Sequence, residues 1–499
     1  MKPAWVFLVI LGSLFAFAQV SSSQVVAITA LEEQLKQNPG DIELMISLGK
    51  AYLDAGRNEE AANIFEEALA ENYENFSAHF GLGLAMYRKG NLRGAIFEFD
   101  QATRVAPDRF EGWYNLGVAY ADLMKWSDAA DAFSQALSVG SKIDLPGEVL
   151  KPAYLGLAAA YRKMGKPDQA AEVLNQALET SAEDIEVLFL LADNLSLAGK
   201  PKDAIPFLYK VLQQDRAHVA AVSLLADIYV GQGLPDRALR EIDRSLAVAQ
   251  TPRVRANLLL KKANILKPID AQKAAELLQE ASRIDPSLWQ AHYDLGISWL
   301  KAGDPDQALR SFQRAYSVRP NEPKILVGLA AAYYLKQDFK QAYFYAQLAA
   351  ASDDDQAKAE ALLIAGKSAY NLGRFGEARA LLIKAVEAMP DRADAWLWLG
   401  LSAYAMQDYK TAISALEQSV QIEPAPVAKL NLGAAYLAVK RFSDAEQIFT
   451  QVVLEEPKNA EAWYNLGWAL KALGREAEAQ RAWKRALELG YEPARSLIK

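Results

Sequence analysis

The chain has 499 residues, of which 52% are hydrophobic and 23% charged, with a net charge of −8 and no cysteine. This length exceeds one ordinary globular core, so several domains or a repeat array are expected. The absence of cysteine excludes disulfides, thiolate metal sites and a cysteine nucleophile. An acidic chain without a basic run also lacks the charge pattern of a nucleic-acid binder, and we expect no nucleic-acid partner.

The N-terminus resembles a secretory signal. Lys2 supplies a short positive region, Ala4 to Ala18 is uncharged and apolar, and Ala16 and Ala18 form the small-x-small pattern of a cleavage site. Fifteen apolar residues are short for a membrane-spanning helix, which needs about 20. We therefore predict a signal peptide over residues 1–18, cleaved after Ala18, and an exported protein, periplasmic or secreted. The alternative is an uncleaved N-terminal anchor. Membrane association is expected only through that anchor or through a partner.

A repeat of thirty-four residues follows a predicted capping helix over residues 24–40. Gly49, Gly83 and Gly117 are each separated by thirty-four residues, and the segment from Gly112 recurs from Ala462. Aligning the chain on this period predicts thirteen units. They begin near Ile42, Phe76, Phe110, Lys151, Ile185, Val219, Ala256, Trp289, Pro323, Ala359, Ala393, Pro426 and Ala460.

Each unit carries two apolar stripes at helical spacing, at unit positions 4, 7 and 11 and at positions 20, 24 and 27. A turn that often contains glycine separates the stripes, as at Gly56 and Gly90, which predicts a helix–turn–helix. Position 8 is glycine or alanine in every unit, so we expect two helices to approach closely there.

One unit shows the full pattern of a known family. Its matching residues are Trp113, Leu116, Gly117, Tyr120, Ala129, Phe133 and Ala136. This pattern resembles the tetratricopeptide repeat, and the resemblance covers about Ile42 to Pro493. It implies an all-α fold, an α-α superhelical solenoid, and a non-catalytic role in binding other proteins.

The alignment divides the chain into units 1–3 (42–143), an insertion (144–150), irregular units 4–7 (151–288), units 8–13 (289–493) and a C-terminal cap (494–499). Smaller additions lie at residues 253–255 and 357–358. The insertion is either a hinge or a passive surface loop, and the sequence leaves both open.

Side chains with catalytic or metal-binding chemistry are few. His79 and His292 occupy position 4, where other units have tryptophan, so we expect both to be packing residues. Asp353 to Asp355 lack the alternating ligands and glycine of a calcium loop, which favours a solvated turn. We expect no catalytic, cofactor or metal site, and no enzyme.

The resemblance implies a partner-binding site on the concave face, where positions 2, 5, 6, 9, 12 and 13 meet a bound peptide. The predicted site residues are Asn115, Asn431, Asn465, Tyr114, Tyr464, Trp468, Trp398 and Tyr293. Further aromatic residues at these positions are Phe80, Tyr87, Phe189, Tyr334, Tyr370 and Tyr404. Amides can bond a ligand backbone and aromatic rings supply contact area, although some of these side chains could instead cover a neighbouring helix.

We therefore predict a scaffold or adaptor that binds a segment of a protein partner of unknown identity, in cell-envelope assembly or secretion. The alternative is a glycan-binding, polymer-binding or substrate-recruiting module that serves a separate enzyme. A third possibility is a structural spacer.

Overall fold

The computed structural model describes residues 22–180 and 182–498, so the predicted signal peptide lies outside the described residues. Within them the chain forms 27 α-helices and one 3₁₀ helix, and no strand. This confirms the all-α fold. The chain divides after Ala249 into two compact units, which are described separately below.

After the first helix α1 (Ser22–Gln37), the helices alternate between the first and second helix of a repeat. The first unit continues with α2 (Ile42–Asp54), α3 (Asn58–Glu71), α4 (Phe76–Arg88), α5 (Leu92–Val105), α6 (Phe110–Asp122), α7 (Trp126–Lys142), α8 (Gly147–Lys163), α9 (Pro167–Thr180), α10 (Ile185–Leu197), α11 (Pro201–Gln214), α12 (Val219–Gly231) and α13 (Pro235–Leu246).

The second unit has the same alternation and ends in a 3₁₀ helix (Glu492–Leu497). Its helices are α14 (Pro252–Leu266), α15 (Ala271–Ile284), α16 (Trp289–Lys301), α17 (Pro305–Val318), α18 (Pro323–Leu335), α19 (Phe339–Ala350), α20 (Asp355–Asn371), α21 (Phe375–Ala388), α22 (Ala393–Ala405), α23 (Tyr409–Ile422), α24 (Pro426–Ala438), α25 (Phe442–Glu455), α26 (Ala460–Ala472) and α27 (Glu476–Glu488).

Helices α2 to α27 form thirteen helical hairpins, one for each unit of the sequence alignment. Ten of the thirteen first helices begin at the residue that the alignment gives as the start of the unit. The other three are α8, α14 and α20, and each begins four residues earlier. These are the three repeats that carry extra residues, so the additions lengthen the first helix by about one turn.

The insertion at residues 144–150 is therefore largely helical. Only residues 143–146 separate α7 from α8, and Asp144 has a left-handed backbone conformation, with a φ of 56°. Gly147 begins α8, and Leu150 is buried in the core of the first unit. Apolar packing at Leu150 favours the helix despite the proline and glycine that precede it.

Large side chains at position 24 fill the space between neighbouring hairpins. The ring of Phe312 lies between Gly296 of its own repeat and Gly328 of the next, and a Cβ added at either glycine would be 2.6 Å from Phe312 Cε1. Phe65 lies in the same way between Gly49 and Gly81. Small residues at position 8, and in several repeats at position 6, are therefore required by close approach to a buried ring.

The turn inside twelve of the thirteen hairpins places one residue in the left-handed region, where a side chain is unfavourable. Glycine occupies that place in eight repeats, for example Gly56 with a φ of 73° and Gly373 with a φ of 75°. Four repeats use another residue, namely Met124, Gln337, Gln407 and Lys440. The seventh repeat, which lacks one turn residue, has no such position among the described residues.

Ion pairs join successive repeats. A lysine from each repeat with a lengthened first helix bonds an aspartate in the next first helix or at its N-cap, at 2.5 to 2.7 Å: Lys151–Asp184, Lys267–Asp294 and Lys367–Asp394. Asp394 also accepts a hydrogen bond from Arg392 at 2.8 Å. Burial, the largest influence, raises the pKa of Asp394, but the hydrogen bonds and charges of Lys367 and Arg392 outweigh it and leave that pKa below 3.8.

Both ends carry an extra helix against the terminal hairpin. Helix α1 contributes buried Ile28 to the core of the first repeats, and the 3₁₀ helix contributes buried Ala494 to the core of the last. Among the helices of the described residues, none is both long and apolar enough to cross a membrane.

Candidate functional site

In each of the two compact units, the first helices of the repeats form one face. Many first helices of successive repeats contact each other, as α2 contacts α4 and α18 contacts α20, whereas second helices share no comparable contact in the described part of the chain. The surface formed by the first helices is called the first-helix face below. It is the face on which the family resemblance places the partner.

An aromatic ladder runs along this side of repeats 9, 10 and 11. In each of the three repeats a tyrosine at position 12 meets a ring at the start of the second helix edge-on, and the ring centroids are 5.3 to 5.5 Å apart: Tyr334–Phe339, Tyr370–Phe375 and Tyr404–Tyr409. Trp398 packs edge-on against Tyr370 at 5.3 Å. We call these seven residues the aromatic ladder.

The ladder is held in place but remains accessible. The phenol of Tyr404 is 37% exposed, and those of Tyr334 and Tyr370 and the indole of Trp398 are half-buried. Asn371 donates to the Tyr334 hydroxyl at 3.4 Å. Burial raises the pKa of Tyr334 and of Tyr404, so their hydroxyl groups are neutral donors at physiological pH. Rings that are fixed yet open offer contact area at little entropic cost.

A second aromatic cluster covers the last repeat. Trp468 is 36% exposed, meets Tyr464 at 6.3 Å and Trp483 at 5.4 Å, and has the Lys471 ammonium 5.2 Å from its ring centre. Tyr491, which follows α27, packs against Tyr464 at 4.9 Å. The structure thus brings together the predicted residues Tyr464 and Trp468.

Two predicted site residues are not on the open surface. Tyr114 is only 2% exposed, because its ring is stacked on Phe110 and packed against Phe133, and burial raises its pKa to about 12. Asn115 is 6% exposed and donates to the backbone oxygen of Glu111 at 2.9 Å. Contrary to the expectation of an open binding position, both side chains are buried in the structure.

The physical reason is packing against large side chains, above all those at position 24. Position 6 faces the large position-24 side chain of the preceding repeat in Gly81 and Gly328, and position 5 packs on the position-24 ring of its own repeat. Aromatic Phe110 at position 1 completes the cover over Tyr114. The sequence period alone does not show which of these positions a large neighbour will bury.

The other predicted residues are accessible in part. Asn431 is half-buried and donates to Val427 O at 2.7 Å, so its amide nitrogen is engaged by its own helix. Asn465 is half-buried and its side chain makes no hydrogen bond to any described residue, so its amide is available. Tyr293 is half-buried between Trp289 and Phe312. Phe339, Phe375 and Tyr409, which support the ladder, were not among the predicted residues because they lie on second helices.

His79 and His292 are buried packing residues, as their position in the repeat predicts. At position 4 a ring N–H donates to the backbone oxygen six residues earlier. Trp113 bonds Pro107 O at 2.9 Å, and His79 Nε2 lies 2.8 Å from Tyr73 O. His79 is 1% exposed, and its Nδ1 lies 2.7 Å from Glu98. No group of acidic or histidine side chains able to hold a metal occurs among the described residues.

Sequence comparison agrees with this architecture. Profiles described as tetratricopeptide repeat match residues 46–102, 155–218 and 365–427, residues 195–261, 299–365, 403–457 and 436–495, and residues 108–183. The chain belongs to the tetratricopeptide-repeat family. This confirms the resemblance and the helical-repeat solenoid, and it supports a protein–protein interaction scaffold.

Curated relatives are distant. Human protein O-mannosyl-transferase TMTC1 is 27% identical over 42% of this chain and 23% of its own length. Mouse BBSome complex member BBS4 is 25% identical over 52% of this chain and 57% of its own length. Subunit 3 of the fission yeast (Schizosaccharomyces pombe) anaphase-promoting complex is 22% identical over 46% of this chain and 32% of its own. The chain therefore spans less than two thirds of each.

Among solved structures, the APC/C hetero-tetramer Cut9–Hcn1 matches with 15% identity and a TM-score of 0.40, over 91% of this chain and 96% of the other. A score this low carries no argument about function.

Proposed function

We propose that this protein is a non-catalytic scaffold that binds an extended segment of a partner protein along its first-helix face. The aromatic ladder of repeats 9–11 carries the proposal. It presents tyrosine and tryptophan side chains, the types enriched at interface hot spots, in a row over three successive repeats. The Asn465 amide and the Trp468 ring extend the same kind of surface in the last repeat.

A site-specific crosslink tests where the partner binds. A photoreactive phenylalanine analogue replaces Tyr404 on the first-helix face, and in a matched control it replaces Phe344, which is 52% exposed on the second helix α19. We expect a discrete protein adduct from position 404 and none from position 344. Adducts of equal yield at both positions would show that partners do not use this face.

Substitution of the ladder tests the energetics of the same site. Truncating one well-packed aromatic anchor costs about 1–2 kcal/mol of binding free energy. The double variant Tyr334→Ala/Tyr404→Ala should therefore weaken the crosslinked partner's affinity at least ~10-fold. The control Phe344→Ala should leave it unchanged.

We further propose that this scaffold acts outside the cytoplasm, in cell-envelope assembly or secretion. The support is the sequence pattern of Lys2, the apolar stretch to Ala18 and the small residues at its end. N-terminal sequencing of the protein from its native source should yield Gln19 as the first residue. Recovery of a chain that begins at Met1 would contradict the cleavage.

The same ladder also suits a second candidate, a glycan-binding or polymer-binding module that serves a separate enzyme, because flat aromatic faces can stack on sugar rings. Competition decides between the two. Oligosaccharides that suppress the crosslink at position 404, with partner peptides having no effect, would favour the glycan. Suppression by peptides alone would favour the protein partner.

A further inference from the structure

A groove of about 510 Å³ lies on the second-helix side of repeats 7 and 8, away from the aromatic ladder. Its walls come from α15 and α17, and Leu295 and Trp299 of α16 form its floor. Three arginines line it, Arg283, Arg310 and Arg314, and the lining contains no aspartate or glutamate. This is unusual in a chain with 62 acidic residues and 54 lysines and arginines.

The three guanidinium groups have no carboxylate partner within ion-pair distance in the part of the chain that the structure describes. Elsewhere many arginines are paired, as Arg216 is with Glu241 at 2.8 Å and Arg392 with Glu360 at 3.1 Å. Positive charge is thus concentrated here and left available to a ligand. Guanidinium groups bind carboxylates through two parallel hydrogen bonds.

The last repeat provides an internal comparison. A groove of about 400 Å³ there is built from the same unit positions, with Arg481 and Arg485 in the places of Arg310 and Arg314. Its lining includes Glu446 and Glu478, and both carboxylates bond the adjacent Arg475, at 3.3 and 2.6 Å. The chain's own carboxylates balance the charge in that groove, and they have no counterpart in the groove of repeats 7 and 8.

A buried histidine gives an independent indication. His79 and His292 share position 4, and Nε2 of each bonds the carbonyl oxygen six residues earlier, so the two rings are oriented alike. In repeat 2 the other nitrogen, Nδ1, contacts Glu98 at position 23. Repeat 8 has Ser311 at position 23, and Nδ1 of His292, a residue only 4% exposed, has no hydrogen-bond partner among the described residues.

By analogy with repeat 2, the unpartnered His292 nitrogen points toward position 23, where repeat 2 holds a carboxylate. In repeat 8 this position is Ser311, which lines the arginine groove. A carboxyl group can satisfy this nitrogen when the two groups share one proton. The carboxylic acid donates to the neutral ring, and the carboxylate accepts from the protonated ring.

We propose that the groove between α15 and α17 binds an acidic peptide segment, whose carboxylates pair with Arg283, Arg310 and Arg314 and reach Ser311 and His292. The apolar floor of Leu295 and Trp299 suits a peptide, because it can cover the side chains between the charges. A nucleic acid would need a longer basic track, and the net charge of −8 opposes its approach. The site does not rest on the scaffold function proposed for the opposite face.

Fluorescence anisotropy of the full chain with labelled hexaglutamate tests the proposal, and hexaglutamine is the neutral probe. We expect hexaglutamate to bind and hexaglutamine not to bind. The double variant Arg310→Gln/Arg314→Gln should weaken hexaglutamate binding at least ~10-fold, because two charge-assisted pairs are lost. The matched double variant Arg481→Gln/Arg485→Gln removes the same charge from the same unit positions of repeat 13 and should leave the affinity within about twofold.

A second pair of variants tests the role of position 23. Ser311→Glu places in repeat 8 the carboxylate that repeat 2 has at Glu98, so the chain itself should occupy the site and hexaglutamate binding should fall at least ~10-fold. Ser311→Gln has nearly the same size without the charge and should bind hexaglutamate more tightly than Ser311→Glu does.

Four results would overturn the proposal: no binding of hexaglutamate, equal losses in the two arginine double variants, equal affinity of Ser311→Glu and Ser311→Gln, or tighter binding of an oligothymidylate than of hexaglutamate. The partner crosslink at position 404 is measured separately. If no crosslink forms at position 404, the proposal for the arginine groove is not affected. If hexaglutamate does not bind, the proposal for the first-helix face is not affected.

Discussion

Replacing Gly328 by alanine tests how tightly the hairpins are packed. Gly328 lies in α18, and its added Cβ would be 2.6 Å from Phe312 Cε1 and 2.8 Å from Cζ. Carbon atoms normally approach to about 3.5–4.0 Å, so the methyl group overlaps the ring by about 1 Å. The ring cannot move away, because Gly296 is equally close on its other side.

The expected cost is the difference between two effects. Overpacking a filled core costs about 1–3 kcal/mol, while an alanine in a helix gains about 1 kcal/mol over glycine. The net effect of Gly328→Ala should be a loss of about 0–2 kcal/mol. Gly376→Ala is the matched control in the same unit. Its Cβ would meet only Met406 Cε, at 3.9 Å, so that variant should gain about 0.5–1 kcal/mol.

Urea unfolding, monitored by circular dichroism, measures the three stabilities. We expect Gly376→Ala to be more stable than wild type and Gly328→Ala to be less stable. Hydrogen exchange of peptides from α16 to α18 assigns the loss to repeats 8 and 9, since the chain has two compact units and need not unfold in one step. A Gly328→Ala protein as stable as the Gly376→Ala protein would refute the packing argument. A loss of similar size in Gly376→Ala would refute it too.

Three further predictions concern single residues. Gln337→Gly should stabilise the protein by about 0.5–1 kcal/mol, because the φ of 61° at Gln337 lies in the left-handed region. Gly373→Ala should destabilise the protein by about the same amount for the same reason. Thermal unfolding measures both changes. Glu455→Gln should cost about 1–2 kcal/mol in urea unfolding, because Glu455 accepts two hydrogen bonds from the buried ammonium of Lys429, at 2.5 and 2.8 Å. The pKa of Asp394 is lowered on folding, so its stabilising contribution is complete above its unfolded value of 3.8 and is lost as the pH falls through the folded value. Melting curves of Asp394→Asn and wild type should therefore converge in acid.

The repeat register could be predicted because it depends on contacts inside one hairpin. A small residue at position 8 and a large one at position 24 belong to the same thirty-four residues, so their spacing is visible in the chain. This spacing correctly predicts the first residue of helices such as α4 and α22.

Exposure at the candidate site could not be predicted in the same way, because it depends on how large side chains pack around each position in the folded hairpins. Tyr114 and Asn115 match the binding positions of the family, but both are buried, and Phe110 and Phe133 of the same repeat cover Tyr114. Only part of the aromatic ladder was predicted from the sequence, because the rings that support it lie on second helices. The arginine groove was missed since its charge emerges only when two second helices are placed side by side.

The pattern of contacts between helices has a kinetic consequence. Every extensive contact in the described residues joins helices that are adjacent or next but one along the chain. Loops that close early are therefore short, and contact order is low for a protein of this length. We expect folding to nucleate in several hairpins independently and to spread between neighbours. In such a chain, a slow folding phase would have to arise from proline isomerisation, because no distant ends need to meet and no cysteines need to pair.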